Sequence, residues 1–181
     1  KYELSPPRIL SKMEYRALRD ACRDDIRSAA IIEILLQSGL RIGELSRLEL
    51  EDIKDKEMSI RPYESHPSRL VPINSAAKKA LDKYLNFRPE AKSKNVFLTK
   101  TGRPLLIRNI RSVLNRYFRI ADIKEATINS LRHTFIAHQL MNGASVVLIQ
   151  KLVGHKRLTT TERYLELVKG KVEETVKLEE L

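Results

Sequence analysis

Tryptophan is absent from this chain, cysteine occurs once, and aromatic residues make up only 6% of its 181 positions. A lone cysteine, Cys22, cannot close an intramolecular disulfide or build a cysteine-rich zinc site, so a reducing, cytoplasmic setting is expected. No apolar run approaches the roughly 20 residues needed to cross a bilayer, and the N-terminus lacks the apolar stretch of a signal peptide. No membrane partner is therefore expected. Acidic residues are scarce against basic ones: 23 Asp and Glu face 34 Lys and Arg, a net charge of +11. Such an excess attracts polyanions, because neutralising phosphates releases condensed counterions and steers the encounter. On charge alone, nucleic acid and an ordinary charged surface stand equal, and the placement of the charge must decide.

The hydrophobic fraction, 42%, and the length fit one compact domain with a sizeable core. Residues 1–10, with Pro6 and Pro7 adjacent, read as an extended linker. The first residue is lysine rather than methionine, so a longer parent chain is expected. Ser11 and Glu14 form a capping box that opens a helix to about Cys22. Ile26–Gln37 is apolar enough to form a central core helix, stopped by Gly39. Met58–Arg61 and Arg69–Ile73 are strand candidates around a turn-rich connection, and Val96–Leu98 is a candidate third strand. Helices follow from Asn74–Ser75, over Ile107–Ile120, over Ser130–Met141 and from Ser145 to Val153. A short helix starting at Thr160 or Thr161 carries Tyr164. The expected fold is mainly α with a small antiparallel β-sheet, its domain spanning 11–168 and followed by an amphipathic tail over 169–181. On Ile107–Ile120, Arg108, Arg111, Arg116 and Arg119 lie away from the apolar positions and face solvent or phosphate.

Two arginines, a histidine and a tyrosine carry the candidate chemistry. Arg41 opens a helix just after a turn, Arg132 sits on a helix, His155 follows the helix-ending Gly154, and Tyr164 lies nine positions further on. Guanidinium forks bind phosphate bidentately and keep their charge, so Arg41 and Arg132 suit the nonbridging oxygens of a phosphodiester. His155 suits a donor to phosphate or a group that orients the attacking oxygen. Tyr164 suits the nucleophile, since neighbouring positive charge lowers a phenol's pKa. His133 and His138 have no metal-ligand spacing and are expected to be structural, with His133 directed away from Arg132.

Gly39-Leu40-Arg41-Ile42-Gly43-Glu44-Leu45, Ser130-Leu131-Arg132-His133-Thr134-Phe135 and Leu152-Val153-Gly154-His155 with Tyr164 resemble the tyrosine recombinase, or phage integrase, family. The resemblance covers about Ser11 to Val168. It implies a transesterification without metal, ATP or other cofactor: Tyr164 attacks a phosphate of double-stranded DNA, forms a 3′-phosphotyrosyl link and frees a 5′-hydroxyl. It further implies a DNA-bound tetramer in which the C-terminal segment docks on a neighbour, and a role for accessory proteins.

Two positions depart from the family's pattern. Where it usually has histidine or lysine, three residues before the second arginine, this chain has Asn129, which donates a hydrogen bond but cannot exchange a proton. Where it places a lysine at the hairpin tip as acid for the leaving oxygen, no lysine occurs between Arg61 and Arg69, and His66 is the candidate acid. A DNA-binding relative with weakened or lost catalysis is therefore the alternative. A helix-turn-helix regulator built on 130–153 ranks lower, because its second helix is too apolar to read base edges.

Overall fold

The computed structural model describes residues 5–175, with side chains described as far as Lys169. The helices are α1 (Lys12–Ala21), α2 (Ile26–Ser38), α3 (Ile42–Ser46), α4 (Ser75–Phe87), α5 (Ile107–Ile120), α6 (Ile128–Met141), α7 (Val146–Val153) and α8 (Leu158–Thr175). A two-stranded antiparallel hairpin, β1 (Glu57–Ile60) and β2 (Arg69–Pro72), lies between α3 and α4, preceded by a 3-10 turn at Leu50–Asp52. The fold is thus mainly helical with a small antiparallel sheet.

The expected capping box forms at α1: Ser11 Oγ accepts from the Glu14 N–H, and the Glu14 carboxylate accepts from the Ser11 N–H. Asp25 caps α2, its carboxylate accepting from both the N–H and the hydroxyl of Ser28. Ala30, Ile31, Ile32, Ile34 and Leu35 of α2 are buried on successive faces, the pattern of a helix surrounded by others. Each fully buried Ile or Leu contributes about 1.5–3 kcal/mol over exposure, which makes α2 the main apolar support of the core. It packs against α4 on one side and α6 on another, with α5 and α1 closing the layer. A second cluster, Phe135, Ile136, Leu140, Ile149, Val153 and Tyr164, ties α6, α7 and α8 together.

The hairpin register pairs Met58 with Val71 and Ile60 with Arg69, so Met58, Ile60 and Val71 face the core while Leu70 is exposed. Val96–Leu98 does not add a third strand. Its groups bond elsewhere: Arg88 takes the Asn95 and Val96 carbonyls, the Tyr84 hydroxyl takes the Leu98 N–H, and only isolated bridges remain at Asn95 and Leu98. With all three side chains buried, the segment is a core plug rather than a half-exposed strand.

The helix carrying Tyr164 starts earlier than expected, at Leu158, and runs unbroken to Thr175. Thr161, Tyr164 and Val168 are its buried stripe, at helical spacing against α6 and α7. Gly170 does not stop it, since glycine inside a helix costs only about 1 kcal/mol relative to alanine. The part of the expected tail beyond residue 175 lies outside the described residues. At the other end, residues 8–10 are held to the domain. Leu10 is buried and donates its N–H to Thr134 Oγ1 at 2.8 Å, while Arg8 pairs with Glu14 and reaches the Lys124 carbonyl.

Gly39 ends α2 at φ +63°, and a Cβ there would meet Phe135 Cδ1 at 2.5 Å. Gly39→Ala combines the left-handed penalty with an aromatic clash, so a loss of about 2–4 kcal/mol is expected in urea unfolding. A change below about 1 kcal/mol would show that Phe135 and the turn relax freely.

Candidate active site

The centre of the site is the C-terminal end of α7, whose last carbonyls receive three arginines from three separate elements. Arg41, the N-cap residue of α3, donates to the Val153 carbonyl at 3.0 Å and the Gly154 carbonyl at 3.2 Å. Arg132, from the middle of α6, donates to the carbonyls of Gly39 and Val153, the latter at 2.7 Å. Arg69, the first residue of β2, donates through Nε to the Leu152 carbonyl at 2.6 Å. Gly154 makes this approach feasible: it stands at φ +68°, and a Cβ would sit 3.0 Å from Arg69 Nη1 and 3.4 Å from Arg41 Nη1.

Among the described residues, one carboxylate forms ion pairs with these cations. Glu44, with a fully buried side chain, accepts both Arg69 Nη groups at 2.6 and 2.8 Å, Arg41 Nη1 at 3.4 Å and the Arg41 N–H at 2.9 Å. Burial works against its charge, but the hydrogen bonds from Arg69 and Arg41 outweigh it and hold the carboxyl below the usual range. Burial, then Arg41, pulls the Arg132 guanidinium down to about 9, which still leaves it charged at neutral pH. Three guanidiniums against one carboxylate leave two positive charges uncompensated. Arg132 uses only two of its five N–H donors on protein acceptors among the described residues.

Tyr164 is buried on α8 beside this cluster, with its ring stacked on His155 at a centroid distance of 6.3 Å. Burial raises its phenol pKa, and Arg132 opposes the rise. His155 Nδ1 bonds Thr161 Oγ1 at 2.8 Å, and burial followed by Arg132 and Arg41 pushes its imidazole down to about 3. His133 corrects the sequence expectation: its ring turns to Tyr164, with Nδ1 2.5 Å from the phenol oxygen. Burial and Arg132 push that ring down to about 4. His138 is exposed on the same helix.

The chain thus brings Arg41, Arg132, His155 and Tyr164 together. His66 stands at the hairpin tip, bridged backbone to backbone with Tyr63, and its buried Nδ1 has no hydrogen-bond partner among the described residues. Burial, then Arg41, lowers its pKa, with Lys156 and Arg132 adding to the effect and Glu44 opposing it. Asn129 is exposed on the first turn of α6, with no side-chain hydrogen bond among the described residues. Sequence reasoning missed the bonds of Arg69 to Glu44 and α7, and the turn of His133 toward Tyr164. The spacing of His133 from Asn129, one helical turn on the same side, was the available signal.

The sequence profile of the phage integrase family matches residues 8–171. The chain is 36% identical over 148 residues to the tyrosine recombinase XerC of Thermodesulfovibrio yellowstonii, covering 76% of this chain and 49% of that protein. It is also 36% identical over 144 residues to the tyrosine recombinase XerD of Chlamydia trachomatis, covering 76% of this chain and 48% of that one. Among solved structures, the XerA recombinase superposes with a TM-score of 0.86 at 26% identity, over 97% of this chain and 68% of that chain. The chain belongs to the phage integrase family and spans about half the length of the two curated relatives.

Removing the one carboxylate of the cluster leaves Arg69 buried and unpaired. Glu44→Gln is expected to lower the unfolding free energy by about 3–5 kcal/mol at neutral pH, read in urea. A loss below about 1 kcal/mol would show that the carbonyls of α7 hold the arginines unaided.

Acid should weaken the fold through His133 and His155. Both are held neutral, near 4 and 3, and return toward 6.5 on unfolding, so the unfolded chain binds more protons. Their contribution is full above about pH 6.5 and is lost as the pH falls toward 4 and 3. Glu44 adds a loss of the same sign below the ordinary carboxylate range. The urea midpoint should drop over this window, and less steeply in a His133→Gln/His155→Gln double variant; identical slopes would contradict the burial of the neutral rings.

Proposed function

We propose that this chain is the catalytic domain of a site-specific DNA recombinase, which cuts and rejoins strands through a 3′-phosphotyrosyl intermediate on Tyr164. The observation that carries this reading is the charge balance beside Tyr164: three guanidiniums, one carboxylate and two positive charges left over. A phosphodiester brings one negative charge and its pentacoordinate transition state brings two. The cluster therefore favours the transition state more than the ground state, which is the condition for catalysis. The relatives named tyrosine recombinases support the same reading.

In this mechanism Arg41 and Arg132 hold the nonbridging oxygens through donors the protein leaves free. Thr161 fixes His155 by its Nδ1, which leaves Nε2 to donate to the phosphate. Tyr164 attacks phosphorus and the 5′-oxygen departs. His66 is the acid for that oxygen: the field that lowers its pKa comes in part from Arg41, and an arriving phosphate offsets it. Asn129 contributes a neutral hydrogen bond to the DNA backbone.

The partner is double-stranded DNA. Exposed Arg108, Arg111 and Arg119 of α5, with Lys124, border a cleft of about 950 Å³ that offers backbone contacts. The working assembly is a tetramer on DNA, aided by accessory proteins. Exposed Met141, Val147 and Leu148, where α6 meets α7, supply an apolar patch for a neighbouring copy. The buried, free Cys22, its thiol pushed up to about 11 chiefly by burial, suits a reducing cytoplasm.

The test uses the product of the whole gene and a pool of nicked duplexes with a randomised core, resolved on a denaturing gel. A covalent adduct is expected from the unmodified protein and none from Tyr164→Phe. His66→Gln should slow adduct formation on ordinary phosphate by about two to four powers of ten, and a bridging sulfur as leaving atom, which departs without a proton, should restore it. DNA binding without adduct on either substrate would sink the recombinase reading in favour of a non-cutting relative.

A further inference from the structure

We propose that His133 is the general base that takes the phenolic proton of Tyr164 during strand cleavage. The inference rests on the recombinase reading above and adds a residue to its chemistry. A phenol must lose its proton as it attacks phosphorus, and a base must lie within hydrogen-bond reach, about 2.6–3.2 Å or a little closer, to take it. Among the described residues, the ring nitrogen that meets the Tyr164 hydroxyl is His133 Nδ1, at 2.5 Å.

Three further observations point the same way. Asn129, where the family's pattern has histidine or lysine, is exposed and cannot accept a proton at neutral pH. His133 lies four residues on, so α6 presents it one turn along the same side. The His133 ring is held neutral by burial and Arg132, so a lone pair is available. Beside the pair, a cavity of about 550 Å³ lined by His133, Tyr164, Arg163, Pro6 and Pro7 offers the proton a path to solvent.

The step balances as follows. The Tyr164 oxygen forms its bond to phosphorus as its proton passes to His133 Nδ1, giving an imidazolium. The bond from phosphorus to the 5′-oxygen breaks with its electron pair on oxygen, which takes a proton from His66 or, failing that, from water. Religation runs backwards: the incoming 5′-hydroxyl gives its proton back to His66 or to water, and the His133 imidazolium returns one to the departing phenolate. No oxidant, reductant or nucleotide is needed.

The experiment uses the product of the whole gene and the nicked pool with a bridging sulfur, which removes the acid step from view. Rates of adduct formation are compared for the unmodified protein, His133→Gln and His133→Ala, with imidazole added to each and folding checked by circular dichroism. A base predicts that both variants slow by about two powers of ten or more, and that imidazole accelerates His133→Ala in proportion to its free-base concentration. A merely structural hydrogen bond predicts that glutamine, which also accepts one, stays within about threefold of the unmodified rate. That result overturns the proposal while leaving the recombinase reading intact. Should His133→Gln fail to fold, the imidazole response of His133→Ala decides: acceleration supports the base, and none rejects it. No adduct from the unmodified protein rejects the recombinase reading and the base together.

Discussion

The carbonyls that close α7 hold the domain's halves together. A helix C-terminus carries partial negative charge on groups with no partner inside the helix, and cations near it are stabilised by that field. Here the cations come from α3, β2 and α6, elements far apart in sequence. The hairpin, the central helical layer and the α6–α8 cluster therefore meet at one turn. Glu44 makes the meeting tolerable, since three guanidiniums crowded on one side would otherwise repel one another at short range.

The same concentration of charge governs every titratable group around it. His66, His133 and His155 are all driven toward neutrality, and Arg132 figures in each case behind burial. Tyr164 feels burial and Arg132 in opposite directions. On the proposed reading, an entering phosphodiester, with one negative charge against two positive, weakens the local field for all of them at once. Histidines that are neutral at rest gain basicity, and the arginines keep a charge that burial had made costly.

Much of this was legible in the sequence, for reasons that are local. The Ser11 and Glu14 capping box, the apolar run of α2 and the left-handed stops at Gly39 and Gly154 depend on neighbouring residues, and each forms where expected. The juxtaposition of Arg41, Arg132, His155 and Tyr164 was legible through a family resemblance, since no local rule brings residues 41 and 132 to one helix end. Arg69 was not, because its partners, Leu152 and Glu44, are 83 and 25 positions away. Val96–Leu98 has strand composition, yet side chains of Arg88 and Tyr84 take its backbone groups before a ladder can form. The length of α8 escaped because residues 169–181 were read as a separate tail, whereas the helix packed on α6 and α7 runs on through Gly170, whose propensity cost is small.

The departures at residue 129 and at the hairpin tip can be weighed against this field. A histidine at 129 would stand on an exposed turn, whereas His133 is already in contact with the phenol. A lysine at the tip would add a third uncompensated charge to a cluster that has one internal carboxylate. His66 in its place is neutral at rest and gains a proton most readily once a phosphate offsets Arg41 and Arg132. On the proposed reading, proton donor and proton acceptor are therefore both histidines: His133 has its lone pair at rest, and His66 becomes competent once the anion is bound. Chemistry is tied to occupancy by electrostatics alone, with no moving part required.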